Sequence, residues 1–411
     1  MSTIWFVSKY VSPPSYAKIS VGTRGFLLVR EFARAGHQAH VITSDSNHQA
    51  DPPKLNGPVM TKDVDGVSVH WLRTRKFQDP RSLDRILSWF DFEWRLWRMP
   101  KRTLPKPDVV IVSSLSPLTI FNGLLLRWRY RCKLVFEVRD IWPLVLVIAG
   151  GYDWKHPAVR FLGWVERLAY RRADLIVGTM PNLKEHVVEA SGSVKPVICV
   201  PQGLDETICE KPQALPEGFS ESHIASEKFI VCHAGMIGAD NALSTFLECA
   251  RQMRDRSDIQ FLLVGEGDFK SQYQAEYADL PNITFAPGVP KPAVQSVLER
   301  VDLVYFSVHK SPLMRFGQSL NKVIDYMYSG KPVLASFTGY PSMINEADCG
   351  TFVPAEDVAA LRAEIDRYVS MSAEDRARIG ARGREWLLKH RRFETLARDY
   401  MSHIQRLINE K

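Results

Sequence analysis

The chain has 411 residues, of which 45% are hydrophobic and 24% charged. That length exceeds what one hydrophobic core usually serves and predicts two domains, and the composition excludes a disordered or fibrous chain. The net charge of +7 is uneven: residues 1–205 carry 29 Lys and Arg against 18 Asp and Glu, the remainder 24 against 28, so an anionic partner is expected for the first half.

Residues 3–8 read as a strand, and residues 22–35 as a helix opened by Gly22 and closed by Gly36. Further strands are expected at 39–43, 67–72, 108–113, 134–138, 175–178 and 197–200, with helical stretches between most of them. These strands are apolar on both faces, as in a buried parallel sheet, and their alternation with helices predicts a doubly wound α/β domain. Residues 1–10 have no basic segment ahead of their apolar run and read as a strand, not a signal peptide. The longest apolar run, near 141–149, is about half of what a spanning helix needs.

Residues 85–99, RILSWFDFEWRLWRM, have an amphipathic pattern. At about 100° per residue, Ile86, Phe90, Trp94 and Trp97 share a face with Trp89 and Leu96, opposite Ser88, Asp91, Arg95 and Arg98. Glu93 fits neither arc. Such a helix either packs its aromatic face on a sheet or lies on a membrane interface, with Arg98, Lys101 and Arg102 meeting headgroups. The run Arg127-Trp128-Arg129-Tyr130-Arg131 adds basic and aromatic character, but no nucleic-acid-binding signature accompanies it and no nucleic acid is expected as partner.

Residues 206–228 break the pattern and read as a linker. Beyond it the scheme repeats, with strands at 229–234, 260–264, 283–285, 303–306 and 351–353, and helices at 243–253, 292–300 and from 355 onward. The six cysteines are scattered, with no Cys-x-x-Cys pair and no zinc spacing, and are expected to be buried reduced thiols.

Three segments carry groups suited to chemistry. Residues 319–334 read as loop, helix, glycine stop and strand, with Ser319 as N-cap and Gly330 as the left-handed stop. The helix N-terminus suits a phosphate, Lys322 adds charge in its first turn, and Asp325 lies on nearly the same face, placed to accept two ribose hydroxyls. The alternative is a surface helix with an i,i+3 ion pair. Arg139 and Asp140 end a strand, where ligands bind in parallel sheets. They are either ligand-facing or a buried pair capping the next turn. Gly22-Thr23-Arg24 follows the first strand: Gly22 would let a phosphate approach, Thr23 would cap the helix and Arg24 would reach an anion, unless this is only a tight turn.

The segment 319–333, Ser-Leu-Asn-Lys-Val-Ile-Asp-Tyr-Met-Tyr-Ser-Gly-Lys-Pro-Val, resembles the donor-binding helix of glycosyltransferase family 4, Pro-Ser-Lys-Leu-Phe-Glu-Tyr-Met-Ala-Ala-Gly-Lys-Pro-Val. Residues 139–143 resemble its Arg-Asp-Leu-Trp-Pro, 264–268 its Val-Gly-Asp-Gly-Pro turn, 288–290 its Gly-x-Val-Pro, 10–14 its Tyr-x-Pro-Pro and 201–205 its Pro-Asn-Gly-Val-Asp hinge. There are departures. Asp325 replaces a glutamate, Gly317 stands where a first glutamate is common, and Met236 and Asn241 stand where Arg and Lys bind diphosphate. The missing first glutamate resembles the WbuB-like branch that acts on lipid-linked oligosaccharides.

The resemblance implies a GT-B fold, two Rossmann-like doubly wound domains facing a central cleft. Residues 1–205 would bind acceptor, with helix 391–411 packing back on them; 206–228 would link; 229–390 would bind the nucleotide sugar. It implies a retaining glycosyltransferase that moves a sugar from a UDP-sugar to a polyprenyl-diphosphate-linked acceptor in bacterial surface polysaccharide synthesis (O-antigen, capsule or exopolysaccharide). The protein would be cytoplasmic and peripheral on the inner face of the membrane. Asp140, Arg139 and Lys322 would be catalytic. Gly22, Thr23, Glu266, Val289, Pro290, Arg315, Ser319, Leu320, Lys322 and Asp325 would hold the donor, and Trp89, Phe90, Trp94, Trp97 and Arg98 would meet membrane and acceptor. No cofactor or metal is expected, because Lys322 and the helix N-terminus supply charge and no Asp-x-Asp ends a strand. A nucleotide-sugar epimerase and a non-catalytic nucleotide-binding module, the latter favoured by Gly317, Met236 and Asn241, are the alternatives.

Overall fold

The computed structural model describes residues 1–18, 22–47, 50–77 and 82–410; Val21 of the expected glycine-rich loop lies outside them. The chain forms two compact units, Met1–Gly203 with Phe393–Lys411, and Leu204–Arg392.

The first unit is built on an eight-stranded sheet of β1 (Thr3–Val7), β2 (Gln38–Ser44), β3 (Val59–Val64), β4 (Val67–Leu72), β5 (Val109–Ser113), β6 (Lys133–Val138), β7 (Leu175–Gly178) and β8 (Val197–Cys199). The lateral order is β3-β4-β2-β1-β5-β6-β7-β8, and only the β3–β4 pair is antiparallel. Sequence patterning misses β3 because it is an edge strand with a largely exposed face. Its signal is the Asp65-Gly66 turn, where both residues have positive φ (52° and 80°), as a tight hairpin requires. Helices α1 (Arg24–Arg34), α2 (Leu83–Arg98), α3 (Thr119–Tyr130), α4 (Leu144–Ile148), α5 (Pro157–Arg172) and α6 (Leu183–Ser191) connect the strands. Because β1 lies between β2 and β5, winding reverses there, and the carboxyl ends of β1 and β5 mark the place where such sheets bind ligands.

In α2 the faces differ from the sequence expectation. Trp89, Phe92 and Leu96 are buried, whereas Ile86, Phe90, Trp94 and Trp97 are exposed. Glu93 explains the rotation. Its carboxylate accepts hydrogen bonds from Thr119 Oγ1 (2.6 Å), Asn122 Nδ2 (2.7 Å) and Ser116 Oγ (3.3 Å), which pins α2 to α3. Trp89 is therefore a core residue, donating to the Tyr10 hydroxyl at 2.7 Å, and not an interface residue.

The second unit begins with α7 (Glu206–Cys209) and α8 (Phe219–His223). These helices replace the expected linker: Cys209 and Phe219 are buried in this unit's core, so residues 206–228 are part of it. Six parallel strands follow, β9 (Phe229–Ala234), β10 (Ile259–Val264), β11 (Ile283–Ala286), β12 (Leu303–Ser307), β13 (Val333–Ser336) and β14 (Gly350–Val353), in the order β11-β10-β9-β12-β13-β14. Around them lie α9 (Ser244–Gln252), α10 (Lys270–Glu276), α11 (Val294–Leu298), α12 (Asn321–Tyr328), α13 (Met343–Ala347), α14 (Val358–Ser370) and α15 (Ala373–His390). Here winding reverses between β9 and β12.

The last helix, α16 (Phe393–Asn409), belongs to the first unit. Its buried Phe393, Leu396, Ala397, Tyr400, Ile404 and Leu407 recur at helical spacing and join the core that holds α1, with the Tyr400 ring 5.6 Å from Phe32. All six cysteines are free; five are buried and Cys199 is exposed.

Candidate active site

In the second unit, the loops after β9 and β10 cross backbone to backbone. Gly235 N donates to Val264 O (2.9 Å), and Ile237 N donates to Glu266 O (2.9 Å). A Cβ at Gly265 would fall 1.8 Å from Gly235 O, and one at Gly267 2.2 Å from Ile237 O, so only glycine fits at either position.

Helix α12 is docked on this crossing by Tyr326. Its buried hydroxyl accepts from Ala234 N (2.9 Å) and donates to Ala234 O (3.0 Å). One turn earlier on the same face, Lys322 reaches Gly235; a Cβ there would lie 3.6 Å from Nζ. Lys322 Nζ donates to Asn241 Oδ1, and Asn241 Nδ2 donates to Met236 O at 2.9 Å. Asn241 thus replaces an expected cation by an acceptor that holds one. Burial pushes the Lys322 ammonium down to about 8, against the pull of Asp240.

Asp325 is buried and paired with Lys291, and its backbone carbonyl accepts from Gln295 Nε2 at 3.1 Å. The i,i+3 pair with Lys322 does not form. Burial raises the Asp325 carboxyl above the usual range, and Lys291 opposes that shift. Sequence reasoning missed Lys291, although it directly follows Val289-Pro290. Glu266 ties the next loop in place: Oε1 accepts from Gly288 N (2.9 Å) and Lys270 Nζ (3.0 Å), and these donors hold its exposed carboxyl below the usual range. Val289 is half-buried against the core and Pro290 is exposed.

The expected N-cap is corrected. Leu320, not Ser319, occupies the N-cap position of α12, in an extended conformation (φ −85°, ψ 132°). Gly330 does take the left-handed conformation after the helix (φ 70°). Gly317 closes a short 3-10 turn at φ 85°, ψ −179°, a conformation nearly restricted to glycine, so a glutamate there would strain the backbone. Arg315 is exposed and stacks on Phe316 with its guanidinium 4.4 Å from the ring centre.

In the first unit, Arg139 and Asp140 follow β6 directly. Ser114, after β5, stitches the two loops: its Oγ accepts from Arg139 N at 2.9 Å and donates to Asp140 O at 3.5 Å. Asp140 is open to solvent, but it sits in a recess with Ser114, Phe136, Trp142, Glu166 and Tyr170. That crowding raises its carboxyl above the usual range, while Arg139 and Arg85 pull it down. Arg139 is brought to about 10 by burial and by Arg24, with Glu137 and Asp140 opposing. Arg24 does not reach outward. It is buried, paired with Glu137 at 2.9 Å and donating to Pro201 O at 3.0 Å. Thr23 sits at the N-cap of α1 without capping it; its hydroxyl accepts from Ser12 N at 3.1 Å. Gly22 packs on Pro14, where a Cβ would lie 2.8 Å from Cδ.

The structure thus gathers Lys322, Asn241 and Gly235 into one cluster and Asp325, Lys291, Glu266 and Gly288 around it in the second unit. Arg139 and Asp140 form a separate polar edge in the first. Among the described residues, no three His, Cys, Asp or Glu side chains come together as a metal site. No helix there is long and apolar enough to cross a membrane.

A family model described as a glycosyl transferase 4-like domain matches residues 21–203, and one described as glycosyl transferases group 1 matches residues 227–371. Sucrose-phosphate synthase from Thermosynechococcus elongatus superposes with a TM-score of 0.71 at 16% identity, covering 100% of both chains. An α,α-trehalose-phosphate synthase (UDP-forming) from Burkholderia vietnamiensis gives 0.72 at 12% identity over 100% of this chain and 98% of that one. HepE of Anabaena in complex with UDP gives 0.66 at 14% identity over 98% and 100%. No curated protein matches the chain in sequence.

Proposed function

This chain is a glycosyltransferase of the GT-B fold, and from that premise we propose that it transfers a sugar, with retention, from a UDP-sugar to a hydroxyl of a polyprenyl-diphosphate-linked acceptor at the inner face of a membrane. The observation that carries the donor half is Lys322, an enclosed cation beside the Gly235 crossing, at the switch point of the second sheet. The donor assignment is further supported by HepE, which is known in complex with UDP and with UDP-glucose.

The chemistry follows from the side chains. The diphosphate takes its charge compensation from the Lys322 ammonium and the N-terminus of α12, and both act most strongly as the leaving group gains charge. Asp325 gives one oxygen to Lys291 and presents the other to the ribose hydroxyls. Glu266 fixes the Gly288-Val289-Pro290 backbone against the base. In the first unit, Asp140 orients the acceptor hydroxyl and takes its proton; its raised carboxyl makes it a better base than an ordinary aspartate. Arg139 meets the acceptor's phosphate. The exposed strip Phe90, Trp94, Trp97 with Arg98 suits a lipid surface.

A second reading takes a water-soluble sugar phosphate as acceptor. It is favoured by the phosphorylated sugars named for two structural neighbours, and Arg139 suits it equally. The test is UDP release from UDP-sugars with a detergent-solubilised polyprenyl-diphosphate sugar or a free sugar phosphate as acceptor. Turnover with the lipid-linked acceptor, reduced about a hundredfold or more in Asp140→Asn, is expected. Turnover with the sugar phosphate alone selects the second reading, UDP release without either acceptor would indicate a hydrolase, and conversion of one UDP-sugar into another without UDP release would indicate the epimerase.

A further inference from the structure

Exposed aromatic side chains are unevenly placed. Apart from Tyr340, every exposed Phe, Tyr or Trp among the described residues lies between positions 90 and 164, in the first unit. The α2 strip accounts for only three of them. The others are Phe121 and Trp128 on α3, Tyr152 and Trp154 in the loop after α4, and Phe161 and Trp164 on α5. Trp128 is 76% exposed and Trp154 56% exposed, values unusual for the side chain that gains most from burial.

The helices that carry most of these groups are neighbours. Helix α3 packs against both α2 and α5, and Glu93 locks α2 to the start of α3. The Phe121 ring lies 5.9 Å from Trp164, which lies 6.1 Å from Phe161. Helix α4 starts beside α5, where a Cβ at Gly163 would lie 3.6 Å from Pro143 Cγ, and its five residues, Leu-Val-Leu-Val-Ile, are all half-buried. It begins four residues after Asp140. Apolar area of this extent on a folded unit marks a binding surface.

Charge indicates what covers it. From residue 95 to residue 172 there are fifteen Lys and Arg against five Asp and Glu. Arg129 and Arg131 flank the exposed Trp128 side of α3, and exposed Arg160 precedes Phe161. Indole rings interleaved with arginines at helix ends match the headgroup layer of an anionic bilayer, where rings enter the interface and guanidinium groups meet phosphates.

We propose that the α3–α4–α5 face, and not the α2 strip alone, seats on an anionic lipid bilayer, with α4 linking that face to Asp140. The proposal rests on the lipid-linked acceptor reading and gives it a geometry: a hydroxyl carried on a membrane-held lipid meets Asp140 at the edge of the seated surface.

The experiment is flotation of the full chain with vesicles of phosphatidylethanolamine and phosphatidylglycerol in equal parts, against pure phosphatidylcholine. Two double variants are compared, Trp128→Ser with Trp164→Ser and Trp94→Ser with Trp97→Ser, with UDP titration of each as a check of folding. The wild type is expected to float with the anionic vesicles and to be released by salt. The Trp128/Trp164 variant is expected to lose about tenfold or more in partitioning. Brominated lipid is expected to quench wild-type tryptophan emission and to quench that variant less. Flotation of that variant at the wild-type level, with loss only in the Trp94/Trp97 variant, would overturn the proposal and leave the α2 strip as the docking element. A lipid-free dimer that the Trp128/Trp164 substitutions dissociate would also overturn it, assigning the face to a second copy. No flotation of the wild type would overturn it too, while turnover of the detergent-solubilised acceptor would show separately that the acceptor reading stands.

Discussion

Removing a lysine ammonium from water weakens its hold on its proton, and a ligand phosphate restores that hold. Lys322 stands at about 8 because of burial. Since the diphosphate needs the protonated form, UDP affinity is expected to hold near pH 7 and to fall as pH rises through about 8, by nearly tenfold per unit beyond it. A calorimetric pH series checks this; a flat series to pH 9 would remove the ammonium from the site. Asn241 tests the same point from the other side. Asn241→Leu leaves Lys322 without its Asn241 acceptor and removes the Asn241 donor from Met236 O, and is expected to weaken UDP binding about three- to tenfold. The placement of Lys322 and Asp325 one turn apart on α12 is legible in the sequence, because helix register alone sets it. Asn241 and Lys291 are not, because their roles depend on which loops the sheet order brings beside α12, and strand order is invisible to local periodicity. Ser319 shows the opposite failure: a good capping residue is displaced by one position when Leu320 takes the extended conformation.

At the scale of elements, α2 shows how one buried carboxyl sets a helix face. Without Glu93, the aromatic spacing favours Phe90, Trp94 and Trp97 as the core face. The polar start of α3 offers three hydrogen-bond donors to Glu93 instead, and the helix turns accordingly. Burial raises Glu93 to about 7. The folded state therefore binds a proton that the unfolded chain releases near 4.5, so this group's stabilisation is complete below about 4.5 and is lost as pH rises through about 7. Glu93→Gln is expected to flatten that part of the Tm–pH profile; an unchanged profile would show that the carboxyl is not enclosed. The glycine crossing makes a second element-scale prediction. Gly265→Ala sets a methyl group 1.8 Å from Gly235 O and is expected to cost about 3 kcal/mol or more and to abolish UDP binding. A variant with wild-type Tm and affinity would contradict the crossing. Strand β3 escapes the sequence reading for a related reason: an edge strand need not be apolar, and only its Asp65-Gly66 turn announces it.

For the whole molecule, the alternation of apolar strands with helices is legible throughout, because parallel strands must be buried on both faces and therefore read as continuous apolar runs. The return of α16 to the first unit follows from its periodic stripe, which covers α1. The segment 206–228 is less legible: its prolines and acidic residues suggest a linker, but Phe219 and Cys209 are enough to fold it onto the second unit. Charge follows the same division, with the basic excess in residues 1–205 and Lys322 in the more acidic half. On the proposed function, Lys322 recognises the diphosphate of a uridine nucleotide. The most direct measurement is calorimetric titration of the wild type and Lys322→Met with UDP and with UMP, in the presence of EDTA. The wild type is expected to bind UDP at least about tenfold more tightly than UMP, and that preference is expected to vanish in the variant. Equal preference in both proteins, or no binding of UDP by the wild type, would contradict the account.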